Sequence, residues 1–210
     1  MKPGCFIVFE GLEGSGKSTC ISFLENMLRS RGVEDIVRTR EPGGTTLAEK
    51  LRSILLDPSE QVVPEAELLM MYASRVQLVQ TVIRPSLERG AYVLGDRHDL
   101  SSMAYQGGGR GMDLEVIRSI RRAVLGDFRP DLTLLLDIDP EAGLGRVDSR
   151  GRGRDRFELE KLDFYRRIRE VYLAEAAGDS SIAVIDASAP LEQVTGAVAD
   201  RVEEYLCSRG

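Results

Sequence analysis

Glycines, a lysine and a serine stand close together near the start of the chain, in an order that suits phosphate binding. The stretch from Gly11 to Ser18 reads Gly-Leu-Glu-Gly-Ser-Gly-Lys-Ser, which fits the pattern G-x-x-x-x-G-K-[ST] of a phosphate loop. Glycines permit tight turns that point successive backbone N–H groups into one concavity, and the N-terminus of a following helix adds to the attraction for an anion. We therefore predict that the phosphates of a nucleoside triphosphate bind to Gly11, Leu12, Glu13, Gly14, Ser15, Gly16, Lys17, Ser18 and Thr19.

The flanks of this loop agree with that interpretation. An apolar run, Cys5 to Phe9, precedes the loop, and a helical pattern follows from Thr19. A chance glycine-rich turn between a strand and a helix is the alternative, and the agreement of motif and flanks disfavours it. Lys17 is expected to reach the β- and γ-phosphates, while the Ser18 hydroxyl is expected to bind Mg²⁺.

A second chemical signal follows another apolar run, Tyr92 to Gly95. Asp96 ends that run, where a carboxylate suits the partner that orients Mg²⁺ beside a phosphate loop, although a helix N-cap is the alternative. Arg97 comes next and could grip a phosphate with both arms of its guanidinium, the alternative being a structural salt bridge. His98 is the only histidine. We expect a structural role for it, because a phosphate acceptor with a second pKa of about 6 needs no strong base.

Arginines are densest in a later segment that alternates with glycine. Gly145, Gly151 and Gly153 accompany these arginines in the sequence. A solvated charged loop is the common meaning of such a run, but glycine hinges with several guanidinium groups also describe a mobile lid over phosphates. Beside a phosphate loop we favour a lid over about residues 145–157, which contains Arg146, Arg150, Arg152, Arg154 and Arg156.

The elements that must position these residues alternate between strand and helix. Short apolar runs predict strands at Cys5–Phe9, Ile36–Thr39, Tyr92–Gly95, Leu132–Leu136 and Ile182–Asp186. Helical patterns lie between them: Ser18–Ser30, Thr46–Leu55, a long helix opened by Pro64, Asp113–Leu125, Pro140–Ser149, Glu158–Ala176 and Leu191–Cys207. Thr46 to Glu49 reads as a capping box. This alternation predicts one doubly wound α/β domain, a five-stranded parallel sheet with helices on both faces.

Composition narrows the class of protein. The chain has 210 residues, 42% of them hydrophobic and 30% charged, which is ordinary for one globular domain. A net charge of −6 argues against general nucleic-acid binding. The cysteines Cys5, Cys20 and Cys207 are too scattered for a metal site or a disulfide framework. No apolar stretch approaches the ~20 residues of a membrane helix, and no cleavable leader is recognised, so a cytosolic protein is expected.

Taken together, these motifs resemble those of bacterial thymidylate kinases, and the likeness extends over essentially the whole chain. Beyond the phosphate loop, the specific segments are Thr39–Thr45 (Thr-Arg-Glu-Pro-Gly-Gly-Thr), Tyr72–Arg75, Asp96–Ser101, Tyr105–Gly111 and Phe128–Thr133. The resemblance implies transfer of a phosphoryl group from ATP to dTMP, giving ADP and dTDP. It further implies Mg²⁺ as cofactor and a cytosolic homodimer.

The resemblance also implies site residues at matching positions. Lys17 would hold the ATP phosphates and Arg97 the dTMP phosphate, Glu13 would face the acceptor sugar, and Tyr105 would crowd its 2′ position. The catalytic set implied in this way comprises Lys17, Arg97, Glu13 and one of Arg150, Arg152 and Arg154. The acceptor set comprises Glu13, Pro42, Met71, Arg75, Arg97, Ser101, Ser102, Tyr105 and Gln106, with Arg75 at the thymine edge.

Two positions distinguish this chain from some relatives of that family. Gly14 stands where some carry an arginine, so the lid would have to supply the catalytic guanidinium. Met71 stands where many carry a phenylalanine that stacks on thymine, and methionine packs on a ring less rigidly. Three other functions stay open from the sequence. They are a kinase for another nucleoside monophosphate, a GTPase switch, which the missing Asn-Lys-x-Asp motif disfavours, and a noncatalytic nucleotide sensor.

Overall fold

Five parallel strands form the centre of the molecule in a computed structural model that describes residues 4–148 and 155–208. The strands are β1 (Cys5–Gly11), β2 (Ile36–Arg40), β3 (Tyr92–Asp96), β4 (Leu132–Asp137) and β5 (Ile182–Asp186). Their order in the sheet is β2-β3-β1-β4-β5. Since β1 lies in the middle, the loop that follows it emerges between the ends of β3 and β4.

Helices connect the strands. Their bounds are α1 (Lys17–Ser30), α2 (Thr46–Leu56), α3 (Pro64–Leu78), α4 (Arg84–Glu88), α5 (Asp99–Ser102), α6 (Leu114–Leu125), α7 (Pro140–Asp148), α8 (Leu162–Gly178) and α9 (Leu191–Ser208). Two π-helical segments, Val79–Ile83 and Met103–Gly109, continue α3 and α5. Among the described residues, no helix is both long enough and apolar enough to cross a bilayer.

The alternation of side chains along β1 explains why helices cover both faces of the sheet. Cys5, Ile7 and Phe9 point into one buried cluster, which α1, α8 and α9 complete. Phe6 and Val8 point into the other, together with residues of α3 and α6. Successive strand residues face opposite sides, so an apolar strand that is buried throughout needs a layer on each. The predicted α/β class and the five-stranded parallel sheet are confirmed.

One prediction about a helix cap and one about a helix start were wrong. The N-cap of α2 is Thr45, whose Oγ1 accepts a hydrogen bond from the Ala48 N–H at 3.1 Å, so the predicted capping box is one residue out of register. The helix expected from Glu158 begins at Leu162 instead. Glu158 is buried in a preceding turn, where its side chain accepts from the Asp155 N–H at 3.0 Å. Tertiary burial therefore overrides the helical pattern there.

The helical stretch Asp99–Gly109 was not predicted, and it contains three successive glycines, Gly107 to Gly109. Those glycines let α8 approach. A Cβ on Gly108 would lie 2.6 Å from the Arg167 carbonyl oxygen, and one on Gly109 would lie 2.5 Å from the Phe164 ring. Arg167 donates hydrogen bonds to the carbonyl oxygens of Gly108 and Gly109 at 3.1 and 2.7 Å. This close approach brings the tyrosines of α8 to the centre of the molecule.

We predict that Gly108→Ala destabilises the protein by about 1–3 kcal/mol, because an added methyl group must displace the α8 backbone. Gly196 is the matched control, since it lies in α9 with nothing within 4 Å of an added Cβ. Gly196→Ala should raise the free energy of unfolding by about 0.5–1 kcal/mol. Urea unfolding measures both. Equal effects of the two alanines would contradict the packing argument.

Candidate active site

The phosphate loop follows β1 and is shaped by three glycines in left-handed conformations. The φ angles are 134° at Gly11, 76° at Gly14 and 92° at Gly16. A Cβ on Gly14 would lie 2.2 Å from the carbonyl oxygen of Gly143 in α7, so only glycine fits there. A Cβ on Gly16 would meet nothing within 4 Å. The loop is thus supported from behind by α7 and open on its other side, where an anion could enter.

Lys17 lies at the start of α1 with its ammonium group turned towards the loop. Its Nζ donates to the carbonyl oxygens of Gly11 and Leu12 at 3.0 and 2.9 Å. Burial first, and then the positive charge of Arg97, lower the pKa of Lys17 to about 8. The buried position therefore keeps the Lys17 ammonium beside the loop but makes it lose its proton at a lower pH than an exposed lysine would.

Arg97 joins the end of β3 to the phosphate loop. It is the only described non-glycine residue with a positive φ, 70°, a conformation that side chains other than glycine seldom adopt. Its guanidinium pairs with the Glu13 carboxylate at 2.7 Å and contacts the hydroxyls of Tyr105 and Tyr172 at 2.9 and 3.2 Å. Glu13 therefore faces a cation, which offsets the repulsion that a carboxylate inside a phosphate loop would otherwise exert on a bound phosphate.

Tyr105 connects these two charges. Its hydroxyl lies 2.8 and 2.7 Å from the two Glu13 oxygens, and the Arg97 guanidinium stands 4.8 Å from the centre of its ring. Burial alone would raise the pKa of Glu13, but Arg97, Lys17 and the Tyr105 hydroxyl outweigh it and hold that pKa below its usual value. Glu13 is thus ionised at neutral pH.

The carboxylate of Glu10 in β1 interacts with the charge of Arg97. The sequence analysis did not identify Glu10 as a site residue. Its buried carboxylate accepts from the His98 N–H at 2.7 Å, the Ser101 hydroxyl at 2.6 Å and the Tyr172 hydroxyl at 2.9 Å. Burial raises the pKa of Glu10 in spite of Arg97 and these donors. The signal that could have revealed it is an acid directly after an apolar strand run.

Arg75 forms a second buried centre with Glu41, which was also missed. The Arg75 Nε lies 2.6 Å from a Glu41 oxygen, and its two terminal nitrogens donate to the Ser102 hydroxyl and the His98 carbonyl oxygen, each at 2.9 Å. His98 Nδ1 lies 2.7 Å from the other Glu41 oxygen. Burial would raise the pKa of Glu41, but Arg75 and His98 together lower it. The peptide bond between Glu41 and Pro42 is cis.

One cavity brings together every residue that the sequence analysis assigned to the acceptor. It encloses about 600 Å³ of empty space, a figure that includes its open mouth. The predicted residues that line it are Glu13, Pro42, Met71, Arg75, Arg97, Ser101, Ser102, Tyr105 and Gln106. The remaining lining residues were missed: Glu41, Arg52, Leu56, Asp155 and Phe157.

A second opening adjoins this cavity and contains the phosphate loop. Gly14, Gly16, Lys17, Ser18 and Thr19 line it, as do Asp96 and again Glu13 and Arg97. Of the other loop residues, Gly11 and Leu12 supply the carbonyl oxygens that hold Lys17, and Ser15 is buried with no hydrogen-bond partner for its hydroxyl among the described residues. Two cavities thus meet at one ion pair.

The predicted magnesium ligands fit a metal bound together with phosphates. Ser18 and Asp96 line the same opening, one on α1 and one at the end of β3. Within the described ranges, no group of three His, Cys, Asp or Glu side chains could hold a metal by itself. Mg²⁺ commonly keeps several waters and takes only one or two protein oxygens plus phosphate oxygens. A hydroxyl and a carboxylate beside a phosphate loop match that requirement.

The structure describes only part of the arginine-rich segment that was predicted to form a lid. Arg150, Arg152 and Arg154 lie outside the described residues. Arg146 donates to the carbonyl oxygens of Gly14 and Ala187 at 3.3 and 3.1 Å, so it supports the phosphate loop. Arg156 donates to the Leu55 carbonyl oxygen at 2.8 Å and pairs with buried Glu67 at 2.6 Å. Both described arginines are therefore held by contacts with the body of the protein.

Fold and site together define a phosphate-loop nucleotide-binding protein with a second cavity next to the loop. The sequence profile of the thymidylate kinase family matches residues 9–198. The chain is also similar to the crystal structure of thymidylate kinase from Ehrlichia chaffeensis, with 31% sequence identity and a TM-score of 0.78 over 96% of this chain and 99% of that one. The chain belongs to the thymidylate kinase family, and its reaction is the phosphorylation of dTMP to dTDP.

The lowered pKa of Lys17 predicts a pH dependence of nucleotide binding. Below its pKa of about 8, Lys17 is protonated before the ligand arrives. Above it, the free protein has lost that proton, and binding of a polyphosphate must take one up. The dissociation constant for ADP should therefore rise with pH above about 8, by up to tenfold per pH unit.

Calorimetry at several pH values, in buffers of different ionisation enthalpy, measures both the affinity and the proton uptake. Lys17→Arg is the matched control, because a guanidinium stays protonated throughout this range. The affinity of the Lys17→Arg variant for ADP should vary less with pH than that of the wild type, even if the variant binds ADP more weakly. A wild-type affinity that stays constant up to about pH 10 would contradict the assignment.

Proposed function

We propose that ATP is the phosphoryl donor, that its phosphates occupy the loop opening, and that dTMP occupies the adjoining cavity. The observation that carries this proposal is that Glu13 and Arg97 line both spaces. A phosphoryl group passing between two nucleotides must cross the point where their sites meet. Arg97, at that point, can exchange the Ser101 and Tyr172 hydroxyls on its Nη1 for oxygens of the acceptor phosphate while its Nη2 stays paired with Glu13.

On the donor side, the loop N–H groups and Lys17 hold the phosphates of ATP. Lys17 is turned to carbonyl oxygens of its own loop, and an anion in the loop would replace these neutral acceptors with charged ones. Ser18 and Asp96 would hold Mg²⁺. When bound, this ion neutralises charge on the donor phosphates and helps to orient them.

On the acceptor side, we assign the role of each residue according to how deeply it is buried in the cavity. Arg75, Ser102 and Gln106 are almost fully buried, which suits hydrogen bonding to the base edge where water is excluded. Met71 and Pro42 supply apolar contact for the thymine ring. Ser101, Tyr105 and Glu13 lie nearer to Arg97 and would surround the sugar and phosphate.

Catalysis in this arrangement is positioning and charge stabilisation. The acceptor phosphate is itself the nucleophile, and its second pKa of about 6 means that it is ionised at neutral pH. Arg97 aligns it, and Lys17 stabilises the transferred group. We assign a further cationic contact to Arg150, Arg152 or Arg154. A cytosolic homodimer is part of the same proposal and is supported by the family resemblance.

A panel of acceptors with ATP tests the proposed function. In a coupled assay of ADP formation, kcat/KM for dTMP should exceed the values for dUMP, dGMP, dAMP and CMP. One missing methyl group costs about 1–3 kcal/mol in an apolar pocket, so dUMP should be about 10- to 200-fold poorer. A faster reaction with another monophosphate would overturn the acceptor assignment, and no ADP formation with any would make the protein a noncatalytic sensor.

Substitutions of Tyr105 separate its ring from its hydroxyl. Tyr105→Phe should lower kcat/KM for dTMP by about 10- to 100-fold, because Glu13 and Arg97 lose a charge-assisted hydrogen-bond partner. The ring still fills the 2′ side of the sugar, so the preference over the ribose analogue of dTMP should stay. Tyr105→Ala removes the ring and should reduce that preference at least about tenfold. If both variants leave the dTMP-to-ribonucleotide ratio of kcat/KM unchanged, the steric role is refuted.

A further inference from the structure

A third cavity shares no lining residue with either part of the proposed active site. It lies between β1, β4 and the helices α6 and α8 and has an empty volume of about 1010 Å³ including its mouth. Its lining is rich in arginine: Arg118, Arg121, Arg122 and Arg129. The function proposed above assigns no role to these four side chains.

Two of these arginines are already paired. Arg118 contacts Glu175 at 2.7 Å, and Arg121 contacts Asp99 at 2.9 Å. The spacing of the α6 arginines, i, i+3 and i+4, places them on one side of the helix. These pairs fix the wall of the cavity and neutralise the carboxylates of Glu175 and Asp99.

Arg122 and Arg129 differ from them. Among the described residues, neither lies within salt-bridge distance of a carboxylate, and the one side-chain hydrogen bond of Arg122 goes to the Ser119 hydroxyl at 3.1 Å. Glu10 accepts from the donors around Arg97, and Asp179 accepts from Ser181 at 2.7 Å. Against the effect of burial, Ser181 and the more distant charge of Arg129 lower the pKa of Asp179. Neither guanidinium is held in a salt bridge within the described ranges, so both can turn towards an anion from solution.

His98 adds a polar group to the same cavity. Its side chain is about 1% exposed, and its Nε2 has no hydrogen-bond partner among the described residues. His98 Nδ1 lies 2.7 Å from a Glu41 oxygen, so Nε2 is the ring nitrogen left to bind another partner. A buried polar atom without a partner is costly. A ligand hydroxyl, which can both donate and accept, would satisfy it.

We propose that this cavity binds a small phosphorylated molecule, with its phosphate on Arg122 and Arg129 and a hydroxyl group on His98 Nε2. Guanidinium groups bind phosphate oxygens in a bidentate manner and tolerate solvent at a rim. A purely apolar ligand would leave both the cations and Nε2 unsatisfied.

The cavity is connected to the acceptor site by two short chains of contacts. His98 contacts Glu41 at 2.7 Å, and Glu41 contacts Arg75 at 2.6 Å. Arg121 contacts Asp99 at 2.9 Å, which lies 3.5 Å from Arg75. A ligand that moves either chain would alter Arg75 and thus the binding of dTMP. This coupling, unlike binding itself, rests on the proposed role of Arg75 in the acceptor site.

The single histidine of the chain makes the binding test direct. The full-length protein, with its active site saturated by ADP and dTMP, is titrated with ribose 5-phosphate and separately with inorganic phosphate. NMR follows the imidazole nitrogens of His98 and the Arg Nε–H groups. The double variant Arg122→Ala/Arg129→Ala is compared with Arg201→Ala, an exposed arginine of α9 that pairs with Glu204 at 2.8 Å.

Ribose 5-phosphate should shift the Nε2 signal along a saturable curve, and inorganic phosphate should shift the arginine signals. The double variant should weaken binding about tenfold or more, while Arg201→Ala should not. No saturable shift with either probe up to about 10 mM, or equal affinity in the two variants, overturns the site.

The coupling is measured separately. Wild-type activity with dTMP, recorded first without a probe, tests the proposed function independently. Ribose 5-phosphate should then change the KM for dTMP in the wild type but not in the double variant, since linkage requires each ligand to affect the other. Binding without any change in KM would overturn the coupling.

Discussion

The ion pair between Arg97 and Glu13 is the contact on which the site depends, because it ties the end of β3 to the phosphate loop after β1. Both side chains are more than four-fifths buried. Removing one partner would leave the other as an unpaired buried charge, which typically destabilises a protein by about 3–5 kcal/mol. Arg97 also keeps a left-handed backbone, which typically costs about 1–3 kcal/mol. The surrounding hydroxyls and Glu10 hold it in that conformation.

Glycines decide how closely the supporting elements approach this pair. Gly14 packs against the backbone of α7, and Gly108 packs against that of α8. A side chain at either glycine would clash with the neighbouring backbone. The second approach places Tyr172 against Glu10 and the Arg97 guanidinium. The packing of α8 against Gly108 therefore helps to position the Arg97 guanidinium, which lies next to the phosphate loop.

The fold could be predicted almost entirely from local patterns. Five apolar runs and a phosphate loop have short-range signatures. The helical stretch Asp99–Gly109 was missed, and the cap of α2 and the start of α8 were misplaced. The acceptor residues lie far apart in the chain, and no pattern within the sequence joins Arg75 to Tyr105. Their grouping was predicted from the family resemblance, and the structure brings them into one cavity. Glu10 and Glu41 were missed because the partners that bury them come from distant parts of the chain, Tyr172 for Glu10 and Arg75 for Glu41.

The sequence by itself determined the class of fold, the phosphate loop and the family, since each depends on residues adjacent in the chain or on their order. Tertiary structure alone decided which charges are paired. Arg146 and Arg156 belong to the predicted lid but contact the body of the protein. Arg122 and Arg129 line a separate cavity, where no described carboxylate lies within salt-bridge distance of them. The reason is physical: the free energy of a buried charge depends on what lies within a few ångströms in space, and chain order does not specify that distance.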